Sequence, residues 1–297
     1  MDIVRIRGGL GNQMFQYAFA EALRSYGREV ACSLGFYRKC PNAMRFCLEQ
    51  VFPNIKLNEI DDDTFNSIDN KWIQIKQNKT DLDKFLVDYE NRFFWVEEIK
   101  YRSRFDENIF RTKNCVFVGY WQTEKYFKNI ADEIRKIYTF QCAEDELIQL
   151  SDQLRNNYYS IHIRRGDYLN NKSFEGICTE EYYKKAIDYI YSKNGKAQFI
   201  FFSDDIKWIK HNFQLSGAIY CEDSLFEHYQ DWYDMYLMSK CCGNIIANSS
   251  FSWWGAWLNE NPNKIVIAPK RWHNAYDAPD ICPEEWVRIN VEGEIVQ

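Results

Sequence analysis

The chain has 297 residues, 46% of them hydrophobic and 17% aromatic, and a formal net charge of −6. At about 150 residues per domain this length fits two domains. Its apolar content can bury a sizeable core, which excludes global disorder. The acid excess excludes a generic duplex-DNA binder, since neutralising phosphates needs a basic surplus. No stretch approaches 18 uncharged apolar residues, so no transmembrane helix is expected. The opening MDIVRIRGG lacks the apolar run of a signal peptide and reads as a first strand. The ten cysteines include no CxxC pair and no Cys/His group of zinc spacing, so a reducing compartment and buried thiols are expected. Cys241 and Cys242 close an apolar helical pattern as packing residues.

In chain order, residues 2–7 read as a strand that meets Gly8-Gly9-Leu10-Gly11. Asn12 is placed to cap a buried helix over 13–26, which Gly27 stops. Residues 36–115 are irregular, with the acidic run 61–63 and the aromatic cluster 93–95. Residues 115–118 form a short apolar strand, followed by a helix over 125–138 and a charged linking helix over 144–157. This puts the domains at 1–152 and 153–297. The second half alternates regularly. Strands are expected at 158–163, 197–202, 217–221, 244–247 and 264–268. Helices are expected after Thr179, whose hydroxyl caps a first turn holding Glu180 and Glu181, and over 205–213, 230–242 and 251–258. Such alternation implies parallel sheets with right-handed crossovers.

The clusters Arg164-Arg165-Gly166-Asp167-Tyr168, Ser203-Asp204-Asp205, Asn248-Ser249-Ser250 and Pro269-Lys270-Arg271-Trp272 each follow an apolar strand directly. In an open parallel sheet these positions share the carboxyl edge, where ligands bind. Arg164 presents a planar fork suited to phosphate oxygens. Arg165 faces the other way along the strand end and has Asp167 as an alternative, purely structural partner. His162 has the parity of Arg164 and shares its face. Ser249 and Ser250 open a helix whose free N–H groups can hold an anion, beyond ordinary capping. Asp204 is placed to accept from a ribose or a base edge, and Asp205 to cap the following helix. Trp253, Trp254 and Trp257 are core residues at helical spacing.

The glycine loop lacks the third glycine of GxGxxG, which argues against a nicotinamide dinucleotide and an oxidoreductase. The helix start at Asn12 and Gln13 can still face a phosphate or a hydroxylated substrate. Asp81-Leu82-Asp83 matches a short DxD metal pattern, but three-residue matches arise freely in an acid-rich chain, and no metal is expected. P-loop, zincin and hydrolase-elbow motifs are absent from the sequence.

Five segments together, GGLGNQMFQYA (8–18), GYWQTEKYF (119–127), HIRRGDY (162–168), FFSDD (201–205) and NSSFSWWGAWL (248–258), resemble glycosyltransferase family 11, the bacterial and animal α-1,2-fucosyltransferases. The resemblance spans nearly the whole chain. It implies an α/β fold of GT-B type, two Rossmann-like domains facing a central cleft. The first domain would serve the acceptor and the second would bind GDP-β-L-fucose. It implies inverting transfer of L-fucose to the 2-OH of a terminal galactose. In this reading Arg164 meets the donor pyrophosphate, His162 and Asp204 lie near guanine and ribose, and Ser249, Ser250 and Phe251 form the phosphate-binding helix start. Gly9, Asn12 and Gln13 form a loop over the substrates, Arg165 joins the donor site, and Trp121, Gln122 and Tyr168 touch the acceptor. Asp167 is the candidate general base, and Arg164 with the N–H groups at 250–251 replaces a metal at the leaving phosphate. Unlike the animal members the chain shows no anchor, which implies a cytoplasmic enzyme with room for peripheral attachment to the inner membrane. GDP-fucose and a galactose-terminated oligosaccharide are the implied partners, with no cofactor and no nucleic acid. The alternatives are another GDP-fucose transferase of α-1,6 or protein O-linked type, and a non-catalytic glycan-binding protein. The irregular 36–115 stretch is expected to shape the acceptor pocket. The sequence carries no signal for an oligomeric state.

Overall fold

Short β-branched and aromatic runs flanked by helical segments fold here as parallel sheets, as expected from their alternation. The computed structural model describes residues 1–40, 44–68, 94–98, 103–141 and 144–296. The chain divides into one unit of Met1–Gln141 with Pro279–Ile281 and another of Cys142–Ala278 with Cys282–Gln297. The helix Asp145–Leu154 belongs to the second unit.

In the first unit the described strands are β1 (Asp2–Arg5), β2 (Val30–Ser33), β3 (Phe94–Glu97) and β4 (Cys115–Val118), in the order β2-β1-β4-β3 with every pairing parallel. The helix Leu10–Ser25 covers one face. Its Phe19 ring meets Phe117 edge-on at 5.2 Å and stacks on Trp121 at 4.4 Å. On the opposite face Ile3, Ala31, Val116 and Val118 pack with Ile60 and with Phe65 of a helix over 62–68. Gly27 ends the first helix at φ +72°, as its sequence position implies. The helix start differs from expectation: it begins at Leu10 with Gly9 as its cap. Gly8, at φ +85°, turns the chain early enough for this. Asn12 therefore does not cap, and its carbonyl accepts from Gln122 Nε2 at 2.8 Å. The helix expected over 125–138 is broken into two 3-10 turns and Ala131–Ile137, because Tyr126 and Phe127 are adjacent and both bury their rings.

The second unit holds β5 (Tyr158–Ile163), β6 (Gln198–Ser203), β7 (Ile219–Tyr220), β8 (Gly243–Ile245), β9 (Val266–Pro269), β10 (Val287–Ile289) and β11 (Ile295–Val296). Their order is β7-β6-β5-β8-β9-β10-β11, parallel except for β11. The chain runs outward from β5 to β7, returns, and continues from β8 the other way. This is the doubly wound order of nucleotide-binding sheets, with its switch point between β5 and β8. The last two strands had no clear sequence signal, being three and two residues long. Thr179 caps the helix Glu180–Lys193 as read, accepting from Tyr182 N–H at 3.1 Å. That helix packs Tyr182, Tyr183 and Ala186 against Ile161, Phe199 and Phe201. The helices Trp232–Lys240 and Ser250–Trp257 pack together, and Asp145–Leu154 packs against the former. Trp253, Trp254 and Trp257 are core residues, as expected, and so is Cys241. Among the described residues no disulfide is formed. Among the described residues no helix is long and apolar enough to cross a membrane.

The centre of this sheet is tightly set. Asn244 is fully buried, donates to Ser160 Oγ at 2.7 Å and Met238 O at 2.8 Å, and accepts from Asn259 at 2.9 Å. A Cβ on the neighbouring Gly243 would overlap the Ile265 carbonyl and the Tyr159 ring. Gly243→Ala should therefore destabilise by about 1–3 kcal/mol, a fall in Tm of about 3–10 °C by calorimetry.

Candidate functional site

The spatial order β6-β5-β8-β9 sets four polar clusters side by side on the carboxyl edge, and hydrogen bonds join them. The Asp204 carboxylate, after β6, accepts from the backbone N–H of Arg165 at 2.9 Å and of Gly166 at 3.1 Å, after β5. Tyr168 OH donates to Asn248 O at 3.1 Å, and Asn248 Nδ2 donates to Trp272 O at 3.1 Å. The convergence expected from strand positions alone is what the structure shows.

Arg164 stands exposed at the end of β5. Its Nε donates to Asp167 Oδ1 at 2.8 Å and lies 3.2 Å from Asp204 Oδ2. Desolvation pulls its pKa down, but Asp167 and Asp204 more than offset this and hold it above its ordinary value. Both carboxylates grip Nε, and no described residue accepts from the Nη groups, so the fork is free to take two oxygens. The Arg165–Asp167 pair that the sequence allows does not form. Asp167 pairs with Arg164, while Arg165 turns to the other side, binds Asp205 at 3.1 Å and lies 3.6 Å over the Trp208 ring. Asp205 also caps the next helix through Trp208 N–H. This side chain is occupied within the protein, which argues for a clamp on the loop and against a donor contact. Asp204 is likewise spent on the loop. A Cβ on Gly166 would crowd its carboxylate, which explains the glycine. Tyr168 stacks on Phe174 at 4.6 Å with its hydroxyl bonded. Two arginines against three acids leave little net field, and Lys270 and Arg271 after β9 add positive charge at the same edge.

His162 is 7% exposed, and its ring centroid lies 6.0 Å from that of Phe251. Burial, assisted by the Arg164 charge, pushes its pKa down to about 3, so the imidazole is neutral at ordinary pH. Its Nδ1 is buried without a partner. Ser249 caps the helix by accepting from Phe251 N–H at 3.3 Å, while the Ser250 N–H and hydroxyl have no described partner. The N–H groups expected for an anion at 250–251 thus reduce to Ser250 unless the cap yields.

In the first unit, Gly9 caps the first helix and Asn12 pairs with Gln122 on the same loop edge. Gln13 is fully buried. Its amide donates to Gly8 O at 3.0 Å and Arg45 O at 2.8 Å and accepts from Cys47 N–H at 3.0 Å. It is a strut between loops with no donor or acceptor left for a ligand. Trp121, expected from the family resemblance to touch the acceptor, is instead 0% exposed and stacked on Phe19, so its ring offers no open face. Asp81, Asp83 and Phe93 lie outside the described residues. Sequence reasoning passed over Arg7 and Glu98. Glu98 follows β3 directly and Arg7 lies two residues beyond β1, close to the strand-end signal used for the second unit.

The His162 environment sets a pH dependence. Its folded pKa lies below the unfolded value near 6.5, so below that pH the unfolded state takes up a proton that the native state refuses. Unfolding free energy should fall between about pH 6.5 and 3, by up to about 1.4 kcal/mol per pH unit from this group. His162→Gln should flatten that slope in denaturant titrations.

Comparison with known proteins bears on the same segments. A family model described as glycosyl transferase family 11 matches residues 2–290. An α-1,2-colitosyltransferase of Escherichia coli is 34% identical, over 97% of this chain and 98% of its own. The O-antigen biosynthesis glycosyltransferase WbnK of Escherichia coli is also 34% identical, over 96% and 99%. A galactoside 2-α-L-fucosyltransferase of Caenorhabditis elegans is 28% identical over 52% of this chain and 46% of its own. Among solved structures, the ADP-heptose heptosyltransferase II of E. coli gives a TM-score of 0.46 at 12% identity, covering 97% of this chain and 90% of that one. A family model spanning almost every residue, together with relatives matched end to end, gives the conclusion: the chain belongs to glycosyl transferase family 11.

Proposed function

We propose that the carboxyl edge of the second unit binds a GDP-linked 6-deoxyhexose, and that the enzyme transfers this sugar with inversion to the 2-OH of a galactose-terminated oligosaccharide. The observation that carries this reading is the free Nη fork of Arg164 on the edge that also bears the Ser250 helix start. The relatives' names, α-1,2-colitosyl and 2-α-L-fucosyl transferase, support the linkage.

The acceptor oxygen attacks the anomeric carbon from the face opposite GDP while the bond to the β-phosphate oxygen breaks. Negative charge grows on that phosphate. Arg164 and the N–H of Ser250 stabilise it as it forms, in a loop already fixed by Asp204. Neutral His162 offers a hydrogen bond without adding charge. Asp167 is spent on orienting Arg164; the electron pair of the broken bond goes to the β-phosphate oxygen, and the acceptor hydroxyl gives its proton to solvent as the new C–O bond forms. A cytoplasmic location and attachment to the inner membrane surface belong to the same proposal.

The donor sugar has two readings. L-Fucose follows from the fucosyltransferase relatives, and colitose, which lacks the 3-hydroxyl of fucose, from an E. coli relative matched end to end. GDP release from GDP-fucose or GDP-colitose with lactose, measured with and without EDTA, decides among them. A glycan-binding protein releases no GDP, and loss of all activity in EDTA restores a metal. Linkage analysis by NMR separates α-1,2 from α-1,6 products. In the active pairing, Arg164→Ala should lower kcat by about 10²–10³ while the protein stays folded by circular dichroism.

A further inference from the structure

The carboxyl edge of the first sheet carries a built feature that donor binding does not use. Glu98, just after β3, is 3% exposed and accepts backbone N–H groups from Ser103 at 3.2 Å, from Trp121 at 2.8 Å and from Tyr120. A Cβ on Gly119 would overlap the Glu98 side chain, so only glycine lets the carboxylate approach. Trp121 is held in the left-handed region at φ +55°, a conformation costing on the order of 1 kcal/mol or more and sustained by its stack on Phe19. These contacts fix Tyr120. The Arg7 guanidinium lies 4.7 Å over its ring. Gln16, fully buried, holds the Arg7 backbone from the other side, accepting its N–H at 2.7 Å and donating to its carbonyl at 3.2 Å.

Arg24, Arg28 and Arg38 of this unit each pair with an acid, whereas among the described residues no carboxylate pairs with Arg7. Its Nε is buried without an acceptor. Orphaned buried donors are costly and rare, and they mark places where something else supplies the acceptor. A guanidinium fixed on a ring, and not by an acid, keeps its planar fork for ligand oxygens.

We propose that Arg7, seated over the Tyr120 ring, recognises the acceptor saccharide by donating to a pair of vicinal hydroxyl oxygens. This rests on the transferase reading above. With lactose as acceptor, Arg7→Met should raise the acceptor KM by about tenfold or more and leave the donor KM, kcat and acceptor-independent donor hydrolysis within about twofold. Arg7→Lys should stay close to Arg7→Met, because a point charge does not replace the fork. Tyr120→Leu should shift the acceptor KM in the same direction. An unchanged acceptor KM in Arg7→Met, or an equal rise in donor KM, overturns the proposal. Saturation-transfer NMR of lactose on the protein keeps the two readings apart. If no donor releases GDP, the transferase reading fails, yet a lactose signal lost in Arg7→Met still supports the recognition role. A signal retained in that variant, or absent from the wild type, overturns it.

Discussion

The second unit depends on one carboxylate. Asp204 takes two backbone N–H groups from the turn after β5 and sits 3.2 Å from Arg164 Nε, so a residue on one strand end dictates the loop on the next. These groups are partly exposed, and partly exposed ion pairs contribute little to stability. Their effect is orientation: the guanidinium is fixed through Nε and its two Nη groups remain available. Donors fixed in advance in this way need no reorganisation when negative charge develops beside them, which is the source of most electrostatic catalysis.

Both sheets use their carboxyl edges in the same manner. In each, a buried or half-buried acid accepts N–H groups from a neighbouring glycine-containing turn, Asp204 for Gly166 and Glu98 for the residues after Gly119. In each, an arginine is left with an unfilled fork beside it. A side chain at either glycine would meet the acid, so backbone and charge are placed together.

Much of the second unit was legible in its sequence because strand, turn and helix alternate within a few residues and caps such as Thr179, Asp205 and Ser249 carry local signals. The convergence of Arg164, Asp204 and Ser250 followed from topology alone. Partner choice was not legible. Whether Asp167 meets Arg164 or Arg165 depends on side-chain direction at a strand end, and only coordinates resolve it. Trp121 and Gln13 look like surface groups beside a glycine loop, yet tertiary packing takes one into an aromatic stack and the other into a strut. Glu98 was hidden because its strand lies in the irregular 36–115 stretch, and two of its three backbone partners are more than twenty residues away.

The central claim is that Arg164 and the start of the Ser250 helix hold one diphosphate together. A crystal structure with GDP tests it most directly. The account requires β-phosphate oxygens within about 3 Å of the Arg164 Nη groups and of the Ser250 N–H, with Nε still bonded to Asp167 or Asp204. A diphosphate seated away from this edge, with the Arg164 fork still empty, would contradict it.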